Sequence, residues 1–288
     1  MQRITKKDLP SWLYELNKDK HYLVLSDDLD SLLSCSLLSE RFGVEIGAFY
    51  SFSEIVENKE ITRGKIPVYV DIDTNEGLCL GNHPTVGAWN KDSINLNKFI
   101  KYDNYHSKYS GSVYSMLLWL LDVDLNEFTM QQIIISIIVD SHFKGFYDSK
   151  FKSSWLHWNI DVMRMTRFKN LVYQVQESGF KNVSFKYQTK AKITLDSEGR
   201  LQTKINLKKL NELGFNVSLP DTKFTTVTKR LFNCREHITT VEYLQKEENL
   251  KMFSNARTYK DTVKFSLEEL EHDKLQNHIE MMRIFNSV

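Results

Sequence analysis

Tyr22-Leu23-Val24-Leu25-Ser26-Asp27-Asp28-Leu29-Asp30-Ser31-Leu32-Leu33-Ser34 is the stretch that decides how the rest of the chain is read. The apolar run from Tyr22 to Leu25 predicts a buried strand. Three acids follow within four residues, and a helical pattern then resumes through Leu32, Leu33, Leu37 and Leu38. Carboxylates crowded at the C-terminal mouth of a strand repel one another and are costly to leave unpaired in a crevice. A divalent cation removes that cost, and the crevice beyond the strand ends is where open α/β sheets bind ligands. The competing explanation is that Asp27, Asp28 and Asp30 cap the next helix, where acids suit the dipole.

Working outward, residues 8–19 read as a short amphipathic helix, Val44–Tyr50 as a second strand, and 51–63 as partly helical. Ile66–Asp73 is a third strand ending in acids, and Leu78–Leu80 is a fourth that runs into Gly81-Asn82-His83-Pro84. Strands alternating with helices predict an α/β fold with a mostly parallel sheet flanked by helices. Tyr109-Ser110-Gly111-Ser112 opens a helix. Ile133–Val139, which ends at Asp140-Ser141-His142-Phe143, fits either a strand or a buried helix, and 161–176 reads as helical. Beyond 180, Val183–Tyr187 and Ala191–Leu195 alternate as strands. Helices follow at 207–213 and 239–247, then a strand at 262–265 and a helix opened by a Ser266/Glu269 capping box. The expected division is a metal-binding α/β domain over 1–165 and a smaller, basic α+β substrate-binding domain over 180–288.

Charge separates the two halves. Residues 1–140 carry 13 Lys+Arg against 20 Asp+Glu, and residues 141–288 carry 25 against 17, so an acidic half precedes a basic one. No apolar run approaches the ~18 residues of a membrane span, and no apolar segment follows the charged start as in a secretory signal. The three cysteines, Cys35, Cys79 and Cys234, are far apart and form no CxxC. A cytoplasmic protein with reduced thiols and no membrane association is expected.

Four separated places line up as one pattern. Asp28-Leu29-Asp30-Ser31-Leu32-Leu33-Ser34 resembles the first motif of the DHH phosphoesterase superfamily, which includes RecJ-type exonucleases, nanoRNases and family II pyrophosphatases. Val68-Tyr69-Val70-Asp71 resembles its second motif, Gly81-Asn82-His83 falls where the Asp-His-His name motif lies, and Asp140 resembles the fourth-motif aspartate. The resemblance covers roughly residues 20–145. It implies that Asp28, Asp30, Asp71 and Asp140 ligate two Mn²⁺ (or Mg²⁺) ions with Asp71 bridging, and that His83 stands beside the substrate phosphate. It also implies a cleft between an α/β domain and a smaller substrate-binding domain. The chain departs from the pattern at Gly81 and Asn82, which replace the Asp and first His, and at Val24 and Ser26, where relatives carry a His or an acid. It also has no Gly-Gly-Gly-His motif in its C-terminal half.

Hard carboxylate oxygens favour Mn²⁺ or Mg²⁺, and a two-ion site hydrolyses phosphoesters through an activated water. The function so implied is a metal-dependent phosphoesterase acting on a nucleotide or nucleic-acid phosphodiester, with Asp71 and His83 as catalytic residues. Additional candidates are Asn82, which offers a weaker oxygen, Asp27, which compensates for the departures at Val24 and Ser26, His106, within reach of phosphate or metal, and His142 as a replacement ligand. Asp73 should point away from Asp71 on an extended chain, as a supporting or a surface residue. Ser110, Gly111 and Ser112 offer backbone N–H groups to an anion or simply cap a helix. Trp155 and Trp158 read as core. Between Arg164 and Lys264 stand 20 Lys+Arg and 10 Asp+Glu, which suits an oligonucleotide, nucleotide or single-stranded nucleic acid as partner. The alternative is a non-catalytic DHH-like module that binds nucleic acid or protein.

Overall fold

The computed structural model describes residues 4–285. Its centre is β1 (His21–Leu25), all five residues of which are buried, as expected for a strand covered on both faces. The chain then turns through Asp27 and Asp28 into α1 (Leu29–Phe42), which ends on Gly43 in the left-handed region at φ 68°. β2 (Ile46–Tyr50) and β4 (Ile66–Val70) pair with β1 in parallel on its two sides. Between them lie β3 (Glu54–Glu57), antiparallel to β2, and the single turn α2 (Lys59–Thr62). β5 (Leu78–Leu80) and β6 (Ser93–Ile94) extend the parallel sheet beyond β4. The helices α3 (Val113–Leu120), α4 (Met130–Ile138), α5 (Lys144–Tyr147), α6 (Lys152–Leu156), α7 (Thr166–Gln174) and α8 (Glu177–Tyr187) follow.

The order of the seven-stranded sheet is β6-β5-β4-β1-β2-β3-β9, with β9 at Thr226–Arg230. Because β2 and β4 lie on opposite sides of β1, the topology reverses beside β1, and a crevice opens at the C-terminal ends of β1 and β4. The expected α/β fold with a mostly parallel sheet is therefore the observed one, and it carries a smaller, largely antiparallel C-terminal part.

A hairpin of β7 (Ile193–Leu195) and β8 (Leu201–Thr203) is followed by α9 (Leu207–Glu212). These elements feed Ile193, Leu201, Leu210 and Phe224 into the same core as β1 and α1, and β9 joins the main sheet. A cut at 165–180 would thus pass through one continuous core. A second core starts later. In it α10 (Ile238–Glu247) and α11 (Glu269–Phe285) pack on the sheet β10-β12-β11, formed by Phe232–His237, Thr262–Leu267 and Ser254–Arg257. This lobe is fastened across the sheet ends. The Tyr50 hydroxyl lies 3.2 Å from Ser254 Oγ and 2.7 Å from Ser266 Oγ, and Asn255 N donates to the Asp73 carbonyl at 3.0 Å.

Several local expectations change in the structure. Residues 8–19 form two 3₁₀ turns, Lys6–Asp8 and Ser11–Glu15, separated by Pro10, which disfavours a continuous helix. Ile133–Val139 resolves as helix, because Thr129 and Gln132 close a capping box ahead of it. Val183–Tyr187 is the end of α8 and not a strand. Its apparent alternation is overruled by Phe180, Ser184 and Tyr187, which are buried at helical spacing and leave Phe185 outside. Ser266 sits in β12 and uses its hydroxyl on Tyr50 and Asn233 rather than as a cap. Among the described residues no helix is long and apolar enough to cross a membrane.

Candidate active-site cleft

Four chain segments meet at the crevice. β1 delivers Asp27 and Asp28, β4 delivers Asp71, the turn after β5 delivers Asn82 and His83, and the end of α4 delivers Asp140. A cavity of about 550 Å³ opens there, with Asp28, Asp71, His83, Asp140 and Lys192 on its floor and β10–β12 as its roof. Arg235 and Lys264 add positive charge to the roof.

The aspartates differ in what they already do. Asp28 caps α1, accepting from Asp30 N at 3.1 Å and Ser31 N at 3.3 Å, so the capping explanation holds for this residue while it also lines the cavity. Asp30 is buried and turned away from the cavity. Its two oxygens accept from Val113 N and Tyr114 N, each at 2.8 Å, where α3 begins. The helix start that follows Ser110-Gly111-Ser112 is therefore met by the chain's own carboxylate.

Asp71 is the opposite case. Its carboxylate makes no hydrogen bond or ion pair with any described residue and faces the cavity, and its backbone has φ 60°; Asp140 has φ 48°. Left-handed backbone at two cavity-lining carboxylates is the kind of local strain that clusters at functional sites.

Electrostatics follow from this geometry. Burial, followed by the charges of Asp30, Asp28, Asp140 and Asp73, pushes the Asp71 carboxyl well above the usual range. Burial and then Asp140 and Asp28 do the same to Asp30, against its two backbone donors. Asp140 is raised by burial and Asp28, while His83, Asn82 and Lys108 pull the other way. For His83, burial opposes the charged ring, but Asp73 and Asp140 outweigh it and raise its pKa. Asp73 Oδ2 lies 3.3 Å from His83 Nδ1 and accepts His83 N at 3.2 Å, while Oδ1 accepts from Asn95 Nδ2 at 2.6 Å. Asp73 thus orients His83 from behind.

Gly81 makes room for that arrangement. A Cβ built there would stand 1.7 Å from Asp73 Oδ1, so the missing side chain in the Gly-Asn-His turn is the space the carboxylate occupies. Gly81→Ala should displace Asp73 and cost about 1–3 kcal/mol of stability in urea denaturation. Unchanged stability would show that the carboxylate has another place to sit.

The additional candidates divide. Asn82 is in the cluster. Its Nδ2 donates to Asp140 Oδ2 at 3.0 Å and to the Gly111 carbonyl at 2.9 Å, while its buried Oδ1 has no partner. Asp27 is held by Lys192, whose Nζ lies 2.8 Å from Asp27 Oδ1 and 3.7 Å from Asp28 Oδ2. His106 is exposed, stands edge-on to Tyr105 and Phe151, and does not reach the cavity. His142 is fully buried among Tyr109, Trp155 and Phe168, and its Nδ1 is 3.2 Å from Ser115 Oγ. Burial pushes it down to about 3, so it is a neutral core residue. The left-handed turn at Asp140 and Ser141 is what separates it from its near neighbour. Trp155 and Trp158 are core residues too.

Lys192 is a site residue that the sequence did not reveal, whereas Asp73, expected to point away from Asp71 as a supporting or a surface residue, is buried behind His83. Nothing local marks Lys192 among the lysines of the basic half, because it meets Asp27 only through the pairing of Ile193 N with the Asp27 carbonyl at 2.7 Å.

Among the described residues no group of three or more His, Cys, Asp or Glu side chains stands ready to hold a metal ion. The donor chemistry of the cavity nevertheless suits a hard divalent cation. Asp28, Asp71 and Asp140 share one cavity, their like charges raise Asp71, and Asn82, which reaches Asp140 through Nδ2, has a buried Oδ1 without a partner. No protein-family model, curated protein or solved structure matches the chain.

Proposed function

We propose that this protein is a divalent-metal-dependent phosphoesterase of the DHH type, hydrolysing a nucleotide or nucleic-acid phosphodiester. The observation that carries this reading is the unpaired carboxylate of Asp71, set in left-handed backbone at the strand end and facing the same cavity as Asp28 and Asp140. Asp28, Asp71 and Asp140, with Asn82 Oδ1, would hold Mn²⁺ or Mg²⁺. When bound, such ions supply a nucleophilic water at neutral pH and offset charge on the leaving oxygen.

The protein's own groups account for the rest. Lys192, Arg235 and Lys264 neutralise the phosphodiester as it enters between floor and roof. His83, whose pKa Asp73 and Asp140 raise, is placed to donate its ring proton to the leaving oxygen as that phosphorus–oxygen bond breaks and a new one forms to the attacking water, whose own proton passes to solvent. Asn95 and Gly81 keep Asp73 in place behind the ring.

The test is hydrolysis of bis(p-nitrophenyl) phosphate and dinucleotides with and without Mn²⁺. Asp71→Asn and Asp140→Asn should each remove at least about 10²-fold of the rate, and His83→Ala about 10²–10⁴-fold. Equal rates in wild type and variants would end the proposal.

One observation favours the second reading, a non-catalytic binding module. Lys192 already places an ammonium on Asp27 and Asp28, where a cation would otherwise be needed. On that reading calorimetric titration shows no stoichiometric Mn²⁺ uptake, and no substrate is turned over at any metal concentration.

A further inference from the structure

A second surface lies beside the cleft. Helix α8 leaves Phe185 87% exposed, the most exposed large apolar side chain among the described residues. It borders a cavity of about 640 Å³ whose rim carries Lys181, Lys190, Lys204 and Gln188, with no acid in the lining. Lys181 pairs with Glu177 at 2.8 Å, whereas Lys190 and Lys204 are exposed and make no ion pair with any described residue.

An aromatic ring presented to solvent in one lining with unpaired lysines suits stacked bases and phosphates. The chain that borders this surface also reaches the acidic cleft. Lys190 lines the Phe185 cavity, and Lys192, two residues later, lines the other. Two residues of chain span at most about 7 Å. Lys190 and Lys192 are therefore neighbouring cations, one at each cavity.

We propose that the Phe185–Lys190–Lys204 surface docks a single-stranded polynucleotide, with a base stacked on Phe185 and backbone phosphates on the lysines, and leads its chain into the acidic cleft. Such binding needs no base sequence, since every base has a face to stack. The route into the cleft rests on the phosphoesterase reading, whereas the docking itself does not.

The experiment is fluorescence anisotropy in EDTA, across a range of salt concentrations, with fluorescein-labelled twelve-nucleotide oligothymidylate and oligouridylate. Phe185→Ala should weaken binding by about 5- to 100-fold with little change in salt slope. Lys190→Ala combined with Lys204→Ala should weaken it and lower the slope by about 1.4, near 0.7 for each single-strand phosphate left without its lysine. Either oligomer binding in this pattern supports the proposal, and the tighter one identifies the preferred sugar. Wild-type affinity in both variants overturns it, as does binding to phosphatidylserine vesicles without binding to either oligomer. Adding Mn²⁺ separates the two readings. Oligomer binding through Phe185 without cleavage removes the phosphoesterase proposal alone, and hydrolysis of bis(p-nitrophenyl) phosphate without oligomer binding removes the docking surface alone.

Discussion

Replacing Asp71 with asparagine should make the metal-free protein more stable, and replacing Asp30 with alanine should make it much less stable. The two residues look alike as members of one acidic cluster, but the structure assigns them opposite energetics. Asp71 is unpaired among like charges, so neutralising it relieves repulsion on the order of 1–2 kcal/mol at a partly solvated position. For a chain of this size each kcal/mol corresponds to about 2–4 °C in Tm. Asp30 satisfies two buried N–H groups at the start of α3, and its removal strands both, at a cost of roughly 2–5 kcal/mol. With saturating Mn²⁺ the order of wild type and Asp71→Asn should invert, because only the wild type gains the binding free energy. Thermal melts of the three proteins in EDTA and in Mn²⁺ read all of this. A destabilised Asp71→Asn in EDTA would mean that its carboxylate has a partner after all.

The second large effect is on pH dependence. The carboxyls of Asp30, Asp71 and Asp140 all lie above their ordinary value in the folded state. The native protein therefore binds protons that the unfolded chain does not, and stability rises as pH falls from the raised native values towards ~4. His83, also raised, works in the same direction nearer neutrality, its contribution being lost as pH rises through the folded value. Asp8, Asp196 and Glu271 are lowered and work the other way, so the quantity to measure is the difference between wild type and the Asp71→Asn, Asp140→Asn double variant. In EDTA that difference should narrow on acidification from pH 7 to 5, as wild type recovers what the variant already has. In Mn²⁺ wild type should instead lose stability over the same range, because ligands must be ionised to hold the ion. Parallel curves in EDTA and Mn²⁺ would show that no cation binds at these carboxylates.

The α/β fold could be read from the sequence because its signal is local. A wholly apolar β1, acids at the ends of β1 and β4, and a glycine turn after β5 each follow from hydrophobic period and turn chemistry within a few residues. Strand ends that carry polar groups share one edge of a parallel sheet, and it was the resemblance to the DHH motifs that grouped Asp28, Asp71 and His83 without coordinates. The same local logic failed at Val183–Tyr187, where alternation over five residues matched both periods and burial of Phe180 decided for helix.

Proximity in sequence was a poor guide to the side chains around that edge. His142 is two residues from Asp140, yet a left-handed turn sends it into the core. Lys192 is 165 residues from Asp27 and forms an ion pair with it. The sequence by itself determined that carboxylates gather at the C-terminal edge of a parallel sheet, because strand, turn and helix signals are written over short windows. Only the tertiary structure decided which of them are free, which are consumed by a helix N-terminus, and which meet a lysine. Those outcomes depend on hydrogen bonds and charges brought together from distant parts of the chain, and no local pattern encodes them.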